Sequence, residues 1–133
     1  MALRCLIVDD SPGFLRSARM LLEREGMEVV GVASTGAEAM RQAEQLRPDV
    51  LLLDIDLGPE SGFEVARRLE AETGVPSTNV VLISTHSEED FADLIAASPV
   101  AGFLSKADLS LRAIRRVVDG GNEADHGTGP RAI

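Results

Sequence analysis

The chain has 133 residues, enough for one domain with its own core and too few for two of ordinary size. It is 44% hydrophobic and 26% charged, with a formal net charge of −9, which argues against a broad basic nucleic-acid surface and against docking on anionic membrane. Cys5 is the only cysteine, so an internal disulfide is excluded and a reducing cytoplasm is the expected setting.

The first apolar run is Leu3 to Val8, which reads as a strand ended by Asp9 and Asp10. The start is therefore no signal peptide, and no apolar run in the sequence is long enough to span a bilayer. Ser11 before Pro12 is a helix-start signal, and Phe14, Leu15, Ala18, Leu21 and Leu22 make one face of a helix from about Pro12 to Glu25, ended by Gly26. Glu28 to Ala33 is a second strand. Thr35 and Glu38 have capping-box spacing and open a helix to about Leu46. Val50 to Leu53 reads as a third strand, buried on both faces.

Ser61 and Glu64 repeat the capping-box spacing and open a helix to about Glu72. Val80 to Ile83 is the fourth strand, and Ser87 to Ala97 a short helix. Gly102 to Ser105 is the fifth strand, and Leu109 to Asp119 the last helix. The stretch from Gly120 to Ile133 has nothing to build a core with and reads as a flexible tail, so the expected domain is 1–119 and the tail 120–133.

Five strands alternating with five helices predict an α/β fold with a parallel sheet covered on both faces. Right-handed crossovers make such a sheet doubly wound, and ligands then sit at the carboxyl ends of the strands. Those ends carry Asp9 and Asp10, then Asp54 with Asp56 two residues on, then Ser84 and Thr85, then Ser105 and Lys106, the only lysine in the chain. Each alone is unremarkable: an Asp after a strand is often a turn residue, Ser84 and Thr85 could cap a helix, and a single lysine is often a solvated charge. Together they are costly. Carboxylates at close range repel by roughly 4 kcal/mol per pair at an effective dielectric near 20. A hard divalent cation such as Mg²⁺ would relieve that. The same groups suit phosphoryl transfer, with Asp54 as nucleophile, Asp9 and Asp10 on the metal, Lys106 as a point charge and Ser84 as a hydrogen-bond donor.

Ile7-Val8-Asp9-Asp10, the run Pro48 to Leu57, Gly62 and Gly102-Phe103-Leu104-Ser105-Lys106 together resemble the receiver domain of bacterial two-component response regulators, over about Leu3 to Asp119. The resemblance implies a flavodoxin-like sheet of strand order 2-1-3-4-5. It implies phosphorylation of Asp54 by a histidine kinase, a histidine phosphotransfer protein or a small phosphodonor. Asp10 and Asp54 would contact Mg²⁺ by side chain, Asp9 mainly through water and Asp56 through its backbone carbonyl. Ser84 matches the family's switch hydroxyl, with Thr85 beside it as a second hydroxyl, and Phe103 matches its switch aromatic. Partners would read the face built from the fourth helix, fifth strand and fifth helix, and a homodimer through that face is allowed. Asp56 and His86 occupy positions that tune the lifetime of the phosphoryl group. His126, in the tail, has no helical phosphohistidine site around it.

The sequence departs from the family's pattern at Ala107, where many receivers have proline, and at Gly58-Pro59, where Pro-Gly is commoner. Ser-Lys-Ala-Asp is itself a variant of the subfamily with a helix-turn-helix output. No DNA-binding domain follows before Ile133, so the chain is read as a stand-alone receiver, or else a piece of a longer protein, signalling to an output protein without touching nucleic acid itself. Two rivals remain. One is a phosphatase like the haloacid dehalogenases, suggested by Asp54-Ile55-Asp56 but disfavoured by the whole βαβα unit before it. The other is a binding module that keeps the fold without the chemistry.

Overall fold

The computed structural model describes residues 2–76 and 79–120; the expected tail lies outside them, apart from Gly120. The elements are β1 (Arg4–Val8), α1 (Pro12–Arg24), β2 (Glu28–Ala33), α2 (Gly36–Leu46), β3 (Val50–Asp54), β4 (Asp56–Leu57), β5 (Glu60–Ser61), α3 (Gly62–Thr73), β6 (Val80–Ser84), α4 (Ala92–Ala96), β7 (Gly102–Ser105) and α5 (111–120). Five strands form one parallel sheet in the order β2-β1-β3-β6-β7, which is the expected order 2-1-3-4-5.

Side chains alternate along each strand between two apolar layers. Leu6, Val8, Leu51, Leu53, Val80 and Leu82 pack with Ala39 and Ala43 of α2 and Val65, Ala66 and Leu69 of α3. Cys5, Ile7, Val50, Leu52, Val81 and Ile83 pack with Ala18 and Leu22 of α1 and Ile114 of α5. The sheet is thus covered by α2, α3 and α4 on one face and by α1 and α5 on the other. With both faces dry, the inner strands show the near-continuous apolar runs seen in the sequence. Burial also pushes the Cys5 thiol up to about 12, so it is an inert core group.

The helix starts follow local chemistry. Ser11 Oγ accepts the Phe14 N–H at 3.3 Å, and Thr35 Oγ1 accepts the Glu38 N–H at 3.1 Å. Glu38 closes its box one residue early, accepting the N–H of Ser34 at 2.8 Å; this bond and the Ser34 hydroxyl hold its carboxyl below the usual range. The second expected box does not form. Ser61 Oγ accepts from Phe63 N–H, and Glu64 turns outward to Arg67. The single helix expected from Ser87 to Ala97 is a 3-10 turn at Glu88–Phe91 followed by the short α4, and Ser87 makes no side-chain cap. The acids of the first turn favour a helix start, but with no side-chain cap to satisfy its first N–H groups the segment is weakly specified as α-helix. The last helix starts at 111, two residues late, because Ser110 Oγ accepts the Ala113 N–H. The antiparallel β4–β5 hairpin was not expected; two pairs, Asp56 with Ser61 and Leu57 with Glu60, are too short to leave a periodic signal.

Candidate functional site: an acidic pocket at the carboxyl edge of the sheet

Strand register builds the site. Val8 pairs with Leu53, so Asp9 and Asp54, each one residue on, come level at the top of adjacent central strands. Ser84 pairs with Ser105, so Thr85 and Lys106 come level on the next two. Three of the predicted carboxylates do meet: one oxygen from each of Asp9, Asp10 and Asp54 lies within 4.8 Å of the others. Asp9 and Asp54 are buried, while Asp10 is exposed. They line a cleft of about 270 Å³ with Asp56, Ser84 and Lys106.

Asp9 uses Oδ1 to accept the Ser11 N–H at 2.9 Å. Its Oδ2 is fully buried and is paired with the Lys106 ammonium, 2.6 Å from Nζ. Asp54 Oδ1 accepts the Asp56 N–H at 3.1 Å, and its Oδ2 lies 3.3 Å from Lys106 Nζ. Burial pushes the Asp54 carboxyl up to about 6, reinforced by the Asp9 charge and opposed by the Asp56 amide and Lys106. Burial pulls the Lys106 ammonium down, but Asp9 and Asp54 outweigh it and hold its pKa above the usual value. One oxygen from each of three carboxylates gathered in one cleft makes a hard-oxygen donor set, the chemistry that suits a divalent cation.

The other predicted residues surround this core. Ser84 is buried, and its Oγ accepts the His86 N–H at 2.9 Å with His86 Nδ1 at 3.4 Å. Thr85 and His86 are exposed. Phe103 is buried in the layer beneath α2, α3 and α4. Asp56 is exposed on the hairpin. After Lys106, Ala107 donates its N–H to Ser105 Oγ at 3.4 Å inside a 3-10 turn, a bond that proline at this position could not make.

This arrangement is that of a known family. A family description, response regulator receiver domain, matches residues 5–118. The chain belongs to the response regulator receiver domain family. Response regulator GacA of Pseudomonas viridiflava is 34% identical over 123 residues, which cover 89% of this chain and 56% of that protein. The receiver chain therefore spans about half the length of the curated relatives it matches. A solved receiver domain of a modulated diguanylate cyclase from Desulfovibrio desulfuricans G20 is 30% identical with a TM-score of 0.73, covering 91% of this chain and 94% of that one. Chemotaxis protein CheY4 of Vibrio cholerae is 25% identical with a TM-score of 0.77, covering 88% of this chain and 99% of that one.

Three contributors to the receiver's site were not assigned from the sequence. Gly58 turns the hairpin with φ +69°, and a Cβ there would stand 3.4 Å from Asp10 Oδ2. Glu60 accepts the Gly36 N–H at 2.8 Å and so ties the hairpin to the start of α2. The ring of Phe14 lies under Lys106 Nζ, 4.4 Å from the ring centroid. Each depends on contacts across the chain that no local spacing encodes. The Gly-Pro turn after Asp54 was the one visible hint for the first two.

Proposed function

We propose that this receiver is a phosphorylation-dependent switch of a two-component or phosphorelay system, with Asp54 as the phosphoryl acceptor. One observation carries the reading: a buried carboxylate of raised pKa, flanked by two further acids and the chain's only lysine, at the carboxyl edge of a parallel sheet. An oxygen of the Asp54 carboxylate attacks phosphorus, the bond from phosphorus to the donor imidazole nitrogen breaks, and its electron pair leaves with the imidazole. Water later attacks phosphorus, the bond from phosphorus to the Asp54 oxygen breaks, and inorganic phosphate leaves as the carboxylate is restored. Asp9, Asp10 and Asp54, with the Asp56 carbonyl, would hold Mg²⁺, whose charge neutralises the phosphoryl oxygens when bound. Lys106 contributes a second positive charge, and Ser84, or Thr85 beside it, donates a hydrogen bond to a phosphoryl oxygen. Ser84 and Phe103 then carry the change outward. Asp56 and His86 flank the acceptor and set how long the phosphoryl group lasts; unchanged dephosphorylation in Asp56→Asn and His86→Ala would count against that role.

The chain labels itself and turns over no outside substrate, and it works in the cytoplasm. The phosphodonor is a histidine kinase or a histidine phosphotransfer protein, and the output partner is a protein. A charge division beside the edge strand β7 favours a second copy as one such partner. Glu88, Glu89, Asp90 and Asp93 are exposed around α4, and Arg112, Arg115 and Arg116 on α5. In a two-fold dimer the acids of each copy meet the arginines of the other. Sedimentation with and without phosphodonor, at low and high salt, tests this.

Intact mass after incubation with Mg²⁺ and acetyl phosphate is the primary test. A gain of one phosphoryl group that Asp54→Asn abolishes supports the acceptor reading. No gain from any donor, or turnover of a generic phosphate ester, sinks it.

A further inference from the structure

Phe14 sits in the first turn of α1, where its backbone N–H is fixed by Ser11 Oγ at 3.3 Å. Its ring lies 4.4 Å from Lys106 Nζ, inside the range at which an aromatic face attracts a cation. The same ammonium is 2.6 Å from Asp9 Oδ2 and 3.3 Å from Asp54 Oδ2. The cation is therefore bounded by two carboxylates and an aromatic face, supplied by the β1–α1 junction and the end of β3, both distant from Lys106 in the chain.

We propose that Phe14 is a positioning residue for Lys106, whose ring seats the ammonium beside Asp54 at the mouth of the pocket. The inference rests on the reading of Asp54 as phosphoryl acceptor. Lysine has a flexible four-carbon stem and a head without preferred planar geometry, so its charge needs external direction. The carboxylates attract the head but compete for it, and the shorter contact is to Asp9. The ring adds a third point of contact that carries no formal charge and accepts no conventional hydrogen bond. It can hold the ammonium without tying up the donors that phosphoryl oxygens require. The apolar face also keeps water from one side of the charge, which strengthens its pull on both carboxylates.

Leucine at position 14 keeps an apolar face on α1 but has no ring quadrupole, whereas tyrosine keeps the ring. Because Lys106 is the only lysine, lysine-selective ¹³C labelling gives a single side-chain spin system. We expect its ε-methylene protons to be shifted upfield by the ring in wild type and in Phe14→Tyr, and to move to ordinary values in Phe14→Leu. With Mg²⁺ and acetyl phosphate, Phe14→Leu should label about fivefold more slowly at saturating donor and Phe14→Tyr within about twofold of wild type, the range expected for a partly desolvated cation–π contact. The donor concentration for half-maximal rate should be unchanged in both. An unshifted Lys106 in wild type, a wild-type labelling rate in Phe14→Leu, or equal losses in the two variants would overturn the proposal. A shifted Lys106 in a wild type that takes no phosphoryl group would instead overturn the acceptor reading, and the positioning role with it.

Discussion

Lys106 and Asp9, from opposite ends of the chain, form a 2.6 Å ion pair in which the carboxylate is wholly buried. The pair brings a cation into a group of acids that would otherwise repel one another across the sheet edge. It joins the first strand to the last, so the chemistry of the site and the closure of the fold depend on the same contact.

Removing that cation exposes the cost. Lys106→Met leaves Asp9 and Asp54 buried without a counter-charge, and breaking such a pair typically costs about 3–5 kcal/mol. In chelator at pH 7 the variant should show a urea midpoint well below wild type. Added Mg²⁺ should recover part of the loss, because a cation held by the acids stabilises the folded chain by mass action.

The Asp54 carboxyl makes a pH-dependent contribution of opposite sign to that of an acid whose pKa folding lowers. Its pKa is raised in the folded chain, from 3.8 to about 6, so the folded state binds more protons than the unfolded state between those values. Stability should therefore fall as pH rises through that window, by about 3 kcal/mol at most from this group. Asp54→Asn removes the titration. In chelator it should be more stable than wild type above pH 6, and the difference should shrink toward pH 4 in urea titrations.

Gly62 packs directly on the backbone of Asp54. A Cβ there would meet the Asp54 carbonyl oxygen and stand 2.6 Å from Ile55 Cα, so main chain has to move. Gly62→Ala should lower stability by about 1–3 kcal/mol, the usual range for overpacking, and slow labelling of Asp54 more than the stability loss explains. Thermal melts alongside intact-mass kinetics measure the two effects separately.

Glu60 reaches from the hairpin to the first N–H of α2, at Gly36. Charge-assisted bonds of this type contribute about 1.5–3 kcal/mol when well made. Glu60→Ala should therefore speed hydrogen exchange at Gly36 by at least about tenfold, with Glu60→Gln in between. Exchange measured residue by residue would decide it, and equal protection in all three proteins would show that the tether carries no energy.

By itself the sequence determined the layered fold and the identity of the acids. A continuous apolar run such as Leu51-Leu52-Leu53, short and bounded by Pro48 and Asp54, reads as a strand buried on both faces, and Ser11-Pro12 and Thr35 mark helix starts through contacts within one turn. Local hydrogen bonding and side-chain period are short-range, so they are legible without a structure. The same logic erred where local signals were weak, as at the 3-10 turn of Glu88–Phe91, or where a spacing had two possible partners, as at Ser61 and Glu64. Only the tertiary structure decided which oxygen of Asp9 faces Lys106, that Phe14 lies beneath that lysine, and that Glu60 ties the hairpin to α2. These contacts join residues brought together by strand register and helix packing, and their geometry is set by how the two apolar layers close over the sheet.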